Sequence, residues 1–148
     1  MIANSDLFDE TTFYPAFVAD MLNSRREVII ESPFITSERM NTLWPTLRKI
    51  NNKGVQVVIV TRDPREHEET YDVQAEKEIQ MCEQEGIHVL LCTGNHHRKL
   101  AIIDREIVWE GSLNILSQLK SREFMRRIEE KDIAFQLFKF IRYDRYLD

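Results

Sequence analysis

His97 and Lys99 are two residues apart, a spacing suited to phosphate chemistry. On an extended segment, side chains two apart point to the same face. There the Lys99 ammonium can neutralise a non-bridging phosphate oxygen as a point charge. The imidazole can attack phosphorus, and covalent attack by histidine splits one hard displacement into two easier ones. Downstream, Asn114 can donate its amide and Ser112 its hydroxyl to the same oxygens. Gly111 would let the backbone approach where a side chain would obstruct a substrate. Arg122 adds a cation shortly after.

The full run is His97-Arg98-Lys99, four residues, Asp104, six residues, Gly111-Ser112, one residue, Asn114. It resembles the HKD signature of the phospholipase D superfamily, H-x-K-x4-D-x6-G-S-x-N. Six fixed letters at set spacing arise by chance in roughly one such chain in several hundred thousand. The resemblance implies a phosphodiesterase that needs no metal and no cofactor and works through a phosphohistidine on His97. It also implies a second histidine that protonates the leaving oxygen and later activates water. A carboxylate downstream of the asparagine would orient the imidazole; Glu123 is the candidate, with Glu129 as the alternative. Asp104 belongs to the signature but cannot easily share the His97 face, so it is assigned a structural role, tying a hairpin or pairing with a basic residue.

No second H-x-K motif exists here, since His67 and His88 lack the partner lysine. A homodimer placing two copies of His97 across a twofold axis is the simplest completion, although another polypeptide could supply the second histidine. Two nearby imidazoles titrate in separated steps, so turnover is expected to follow a bell-shaped pH profile.

The motif specifies the bond and leaves the diester open. Lipid-active members usually carry two motifs in a longer chain, whereas short single-motif members resemble the nuclease branch. The phrase from Gly111 to Ser117, followed by Ser121 to Met125, also resembles domains appended to helicase-type ATPases, which raises an excised C-terminal module. The first reading is therefore a sequence-independent nuclease acting on DNA or RNA. The alternatives are a phospholipid phosphodiesterase, which needs an exposed apolar lip near the motif, and a non-catalytic nucleic-acid-binding or dimerising module.

Bulk properties narrow the class. The 148 residues fit a single domain over 1–148. Hydrophobic residues at 43% and charged residues at 30% are ordinary for a globular protein. The net charge of −5 counts against a dedicated nucleic-acid binder. Charge is uneven, however: residues 65–85 are acidic, while 120–131 carry Arg122, Arg126 and Arg127. These arginines either meet a nucleic-acid backbone or are solvated on a strand face. Cys82 and Cys92 read as reduced thiols. No signal peptide or spanning segment is visible, so a cytoplasmic protein without a membrane partner is expected. His96, with Cys92, Cys82 or His88, matches no standard zinc spacing and reads as a loop residue.

The elements that must position the motif alternate. Phe13 to Leu22 has helical spacing, and Glu27 to Ile35 reads as a strand. Pro45 is expected to open a helix that Gly54 closes. Strands follow at 55–60 and 87–91, around a helix at 72–84. Lys99 to Ile103 and Glu106 to Trp109 form a hairpin about Asp104-Arg105. Glu123 to Ile128 is a further strand, and Ile133 to Tyr146 a closing helix. Trp44 and Trp109 read as core. The expected fold is α/β, a mixed and largely parallel sheet flanked by helices.

Overall fold

The structure, a computed structural model, describes residues 4–66, 69–117 and 120–141, and only the backbone at 69–72. The elements are β1 (Asn4–Asp9), α1 (Phe13–Leu22), β2 (Glu27–Glu31), α2 (Ser37–Asn52), β3 (Gln56–Arg62), α3 (Glu69–Gln84), β4 (His88–Cys92), β5 (Leu100–Ile103), β6 (Ile107–Gly111), β7 (Phe124–Glu129) and α4 (Lys131–Ile141). His67 and the expected helical residues beyond Ile141 lie outside the described residues.

The strands form one mixed sheet in the order β1-β7-β6-β5-β2-β3-β4, flanked by helices as expected. Parallel pairing is confined to β2-β3 and β3-β4, and the other four pairings are antiparallel. The expected largely parallel sheet is thus corrected. Helical crossovers enforce parallel pairing only up to β4, while β5, β6 and β7 return as antiparallel neighbours.

Alternation along the strands sends side chains to two cores. Val28, Ile30, Val57, Ile59, Ala101 and Trp109 face α1, α2 and α3. Ile29, Val58, Val60, Leu100, Ile102 and Val108 face α4. Trp109 is fully buried, edge-on to Phe13 and Phe17, and its indole N–H donates to Asp20 at 2.8 Å. Asp20 also holds Arg127, at 2.7 and 2.9 Å. Of the three arginines considered for a nucleic-acid backbone, Arg127 is therefore committed to the fold.

Two further features depart from the sequence reading. Pro45 lies inside α2 rather than at its start. The helix begins at Ser37 because the Thr36 hydroxyl caps it, accepting from the Arg39 amide at 3.3 Å. An interior proline costs about 3 kcal/mol. Burial of Met40, Leu43, Trp44, Leu47 and Ile50 on this helix offsets that cost. β1 was not expected at all. Its residues are mostly exposed, and Phe8, 4.9 Å from the Trp109 ring, anchors it. Its register with β7 runs from Asn4–Glu129 to Asp9–Phe124.

The β5–β6 hairpin turns on Asp104 and Arg105, both at positive φ (54° and 52°). Such a turn matches the twist of the flanking strands but is costly for side chains other than glycine and asparagine. Asp104 compensates through its carboxylate, which accepts from the amides of Arg25 (2.9 Å), Arg26 (2.8 Å) and Glu27 (3.0 Å). These bonds join the turn to the start of β2. Asp104→Ala is expected to cost about 2 kcal/mol through three orphaned donors. Thermal denaturation should show Tm lowered by ~6 °C, with a smaller loss for Asp104→Asn.

Candidate active site

His97 and Lys99 lie in the loop just before β5, one step short of the sheet. The Lys99 Nζ donates to the His97 carbonyl at 2.7 Å. The His97 ring is exposed and stands edge-on to Phe34, with ring centroids 6.4 Å apart. Among the described residues the imidazole makes no hydrogen bond, so both nitrogens are available to a ligand or a partner.

Two carboxylates secure the loop. Gly94 and Asn95, both at positive φ, donate their amides to Glu66 at 2.9 and 3.4 Å. Arg62 pairs with the same carboxylate at 3.0 Å. The Gly94 amide, and then Arg62, hold the Glu66 carboxyl below its ordinary range. A carboxylate with a depressed folded-state pKa stabilises above its unfolded pKa. That contribution is lost as pH falls through the folded value. The Gly94 amide resonance should therefore titrate with a midpoint below that of an ordinary glutamate, and the transition should vanish in Glu66→Gln. A pH-invariant resonance in the wild type would contradict this anchor.

The second carboxylate is Glu31. His96 Nε2 lies 2.6 Å from Glu31 Oε1, and Arg98 reaches both oxygens at 3.0 and 3.3 Å. His96 is thus more than a loop residue. Among the described residues, no group of three or more metal-ligating side chains is assembled.

Asn114 and Glu123 come together on a different wall. They line a cavity of about 30 Å³ with Glu10, Tyr14, Arg39 and Ser117, room for one or two waters. Among the described residues, three buried polar atoms there have no hydrogen-bond partner: Asn114 Oδ1, Arg39 Nε and Ser117 Oγ. Tyr14 donates to the Ile115 carbonyl at 2.6 Å and stacks under the Arg39 guanidinium at 3.7 Å. Burial pushes its hydroxyl up to about 12, so Tyr14 stays a donor. Glu123 accepts from Ser121 at 2.7 Å, and its amide donates to Glu10 at 2.9 Å. It makes no hydrogen bond to His97 among the described residues. The alternative carboxylate, Glu129, pairs with Arg127 at 3.3 Å and lines a separate cavity with Asp104, so Glu123 is the one beside Asn114.

Gly111 and Ser112 have structural reasons to be what they are. A Cβ on Gly111 would overlap the Phe124 carbonyl oxygen and lie 2.9 Å from Met125 Cα and Sδ. The small residue is required by the approach of β7, a packing reason that stands independently of substrate access. The Ser112 hydroxyl accepts from the Phe124 amide at 3.1 Å, and the Ser112 amide donates to the Phe124 carbonyl at 3.0 Å. Ser112 thus clips β6 to β7 rather than pointing freely at a ligand. Lys99 and Gly111 line an open cavity of about 450 Å³ with Arg98, Arg126, Phe124 and Leu137. Arg122 is exposed.

The sequence reading missed Tyr14, Arg39, Ser117, Glu31 and Glu66. Four of them lie 31 to 83 positions before His97, and only the sheet order brings them near. Ser117 was within reach, three residues after Asn114 in the quoted phrase.

Similarity to known proteins agrees with this fold. No curated protein matches the chain. Among solved structures, Nuc from Salmonella typhimurium, described as a phospholipase D family member, superimposes with a TM-score of 0.72 at 18% identity, covering 94% of this chain and 91% of that one. NucT from Helicobacter pylori gives 0.70 at 16% identity, over 94% and 93%. A phosphatidylserine synthase from Haemophilus influenzae gives 0.69 at 12% identity, over 96% of this chain but 38% of the other. The sequence pattern described as "Cardiolipin synthase, PLD-like domain" matches residues 18–144. The chain belongs to that family, and so to the phospholipase D superfamily of phosphodiesterase-type enzymes.

Proposed function

We propose that this protein is a metal-independent nuclease that cuts DNA or RNA without sequence preference, using two copies of His97 contributed by a homodimer. One observation carries the reading: among the described residues the exposed His97 imidazole makes no hydrogen bond, and Lys99 reaches the backbone carbonyl of the same residue, as half of a two-histidine site would. In this mechanism one His97 attacks phosphorus and becomes a phosphohistidine, while the other protonates the leaving oxygen. The second imidazole then takes a proton from water, which hydrolyses the intermediate. Lys99 and Asn114 neutralise and bind the non-bridging oxygens. Glu123, beside Asn114, is the candidate to orient an imidazole once substrate or the partner copy closes the site. Arg122, which is exposed, is the candidate to meet the flanking backbone.

The near end-to-end match to Nuc and NucT supports nucleic acid over lipid. The chain spans more than nine tenths of Nuc and NucT but little more than a third of the synthase, and short single-motif members resemble the nuclease branch. A lipid phosphodiesterase is the second reading, favoured by exposed Phe124 and partly buried Leu137 around the cavity that holds Lys99. Among the described residues no helix is long and apolar enough to cross a membrane.

The deciding assay incubates the protein with single-stranded DNA, duplex DNA and RNA in excess EDTA. Cutting that persists in EDTA is expected. Cutting that EDTA abolishes would overturn the metal-independent mechanism. Inertness toward all three, with release of headgroup from phospholipid vesicles, would establish the lipid reading. DNA retardation without cutting, weakening steeply with salt, would mark a non-catalytic binding module.

A further inference from the structure

Glu31 is a carboxylate with no solvent exposure, at the end of β2 and opposite Leu100 of β5. It takes hydrogen bonds from His96 at 2.6 Å and from Arg98 at 3.0 and 3.3 Å, the two residues flanking His97. A buried carboxylate needs such partners, because its desolvated charge is costly alone. The consequence for the chain is geometric. Residues 96 and 98 are both tied to Glu31, while the ring of residue 97 between them turns to Phe34 instead.

We infer that Glu31 is the positioning residue of the site, aiming the His97 imidazole by clamping both of its neighbours. The inference rests on the proposed role of His97 and adds a residue that the signature does not contain. A reacting group must be held within a fraction of an ångström of its productive geometry, and a small misplacement far from the chemistry costs rate rather than binding.

The fold contains its own control. At the other end of β2, Glu27 is held by Arg105 with the same geometry, 3.0 and 3.3 Å, and is also nearly buried. Both pairs join β2 to the β5 region, but only the Glu31 pair touches the neighbours of His97. A purely structural role would make Glu31→Gln and Glu27→Gln behave alike.

The test compares these two variants in the full chain, at a temperature where both are folded. For Glu31→Gln, kcat on single-stranded DNA in EDTA should fall at least ~10-fold with KM within ~3-fold. Glu27→Gln should lose stability with kcat within ~2-fold. The imidazole nitrogen resonances of His97, recorded without substrate, should shift or broaden in Glu31→Gln and stay in place in Glu27→Gln. That readout decides the clamp even where the nuclease reading fails. Should Glu31→Gln not fold, Arg98→Ala replaces it, because that side chain is 43% exposed; it should move the same resonances and lower kcat ~3-fold. Equal effects of the two glutamine variants on kcat, or unmoved His97 resonances in the Glu31 or Arg98 variant, overturn the inference.

Discussion

Mixing wild-type and His97→Ala subunits in equal amounts, with full exchange, should leave about one quarter of the wild-type cleavage rate rather than one half. Random pairing makes wild-type pairs about a quarter of all dimers. A site that needs one imidazole to attack and another to protonate fails when either is missing. Alanine homodimers should accordingly lose at least ~10³-fold in kcat, the scale seen when one member of a catalytic pair is removed. His97 is exposed, so the substitution should leave Tm within ~1 °C of wild type. Rates falling in proportion to the mutant fraction would sink the shared site. Undiminished cutting by the alanine protein would sink the histidine mechanism.

Gly111→Ala is expected to be the most damaging small substitution at the signature, and for a reason other than substrate access. The added methyl has nowhere to go, because backbone atoms of Phe124 and Met125 occupy its position. β6 and β7 would have to separate where Ser112 and Phe124 exchange hydrogen bonds at 3.0 and 3.1 Å. Overpacking against backbone of this kind costs about 3 kcal/mol, which lowers Tm by ~10 °C for a chain of this size. Activity should fall as well, since this crossing delivers Asn114 and Glu123 to one wall. Calorimetry separates the explanations. An unchanged Tm with a raised KM would restore the access reading and contradict the packing one.

How far the sequence reached depended on the range of the forces involved. α1 appears where its apolar spacing places it, and the strands of the β2-to-β4 half differ by a few residues from the runs that announced them. Gly54 and Gly86 punctuate helices at positive φ, and the Asp104-Arg105 turn forms between its two strands. All of these follow from local propensity and period. Pro45 was misplaced because burial of five side chains and the Thr36 cap outweigh the local preference of proline for a first turn. β1 was invisible because an exposed edge strand has no hydrophobic alternation to read. Its place depends on β7, more than a hundred residues away.

The sequence by itself determined the candidate chemistry. A histidine, a lysine, an asparagine and their spacing are covalent facts, and residues two apart on extended chain share a face in any fold. Only the tertiary structure decided which groups are committed elsewhere. It gives Asp104 to three backbone amides, Ser112 and Gly111 to the contact with β7, and Arg127 to Asp20. It also brings Glu31, Glu66, Tyr14 and Arg39 to the motif from distant elements. Hydrogen bonds and close contacts act over a few ångströms in space regardless of separation along the chain, so partners 12 to 107 residues apart leave no pattern in the order of the letters.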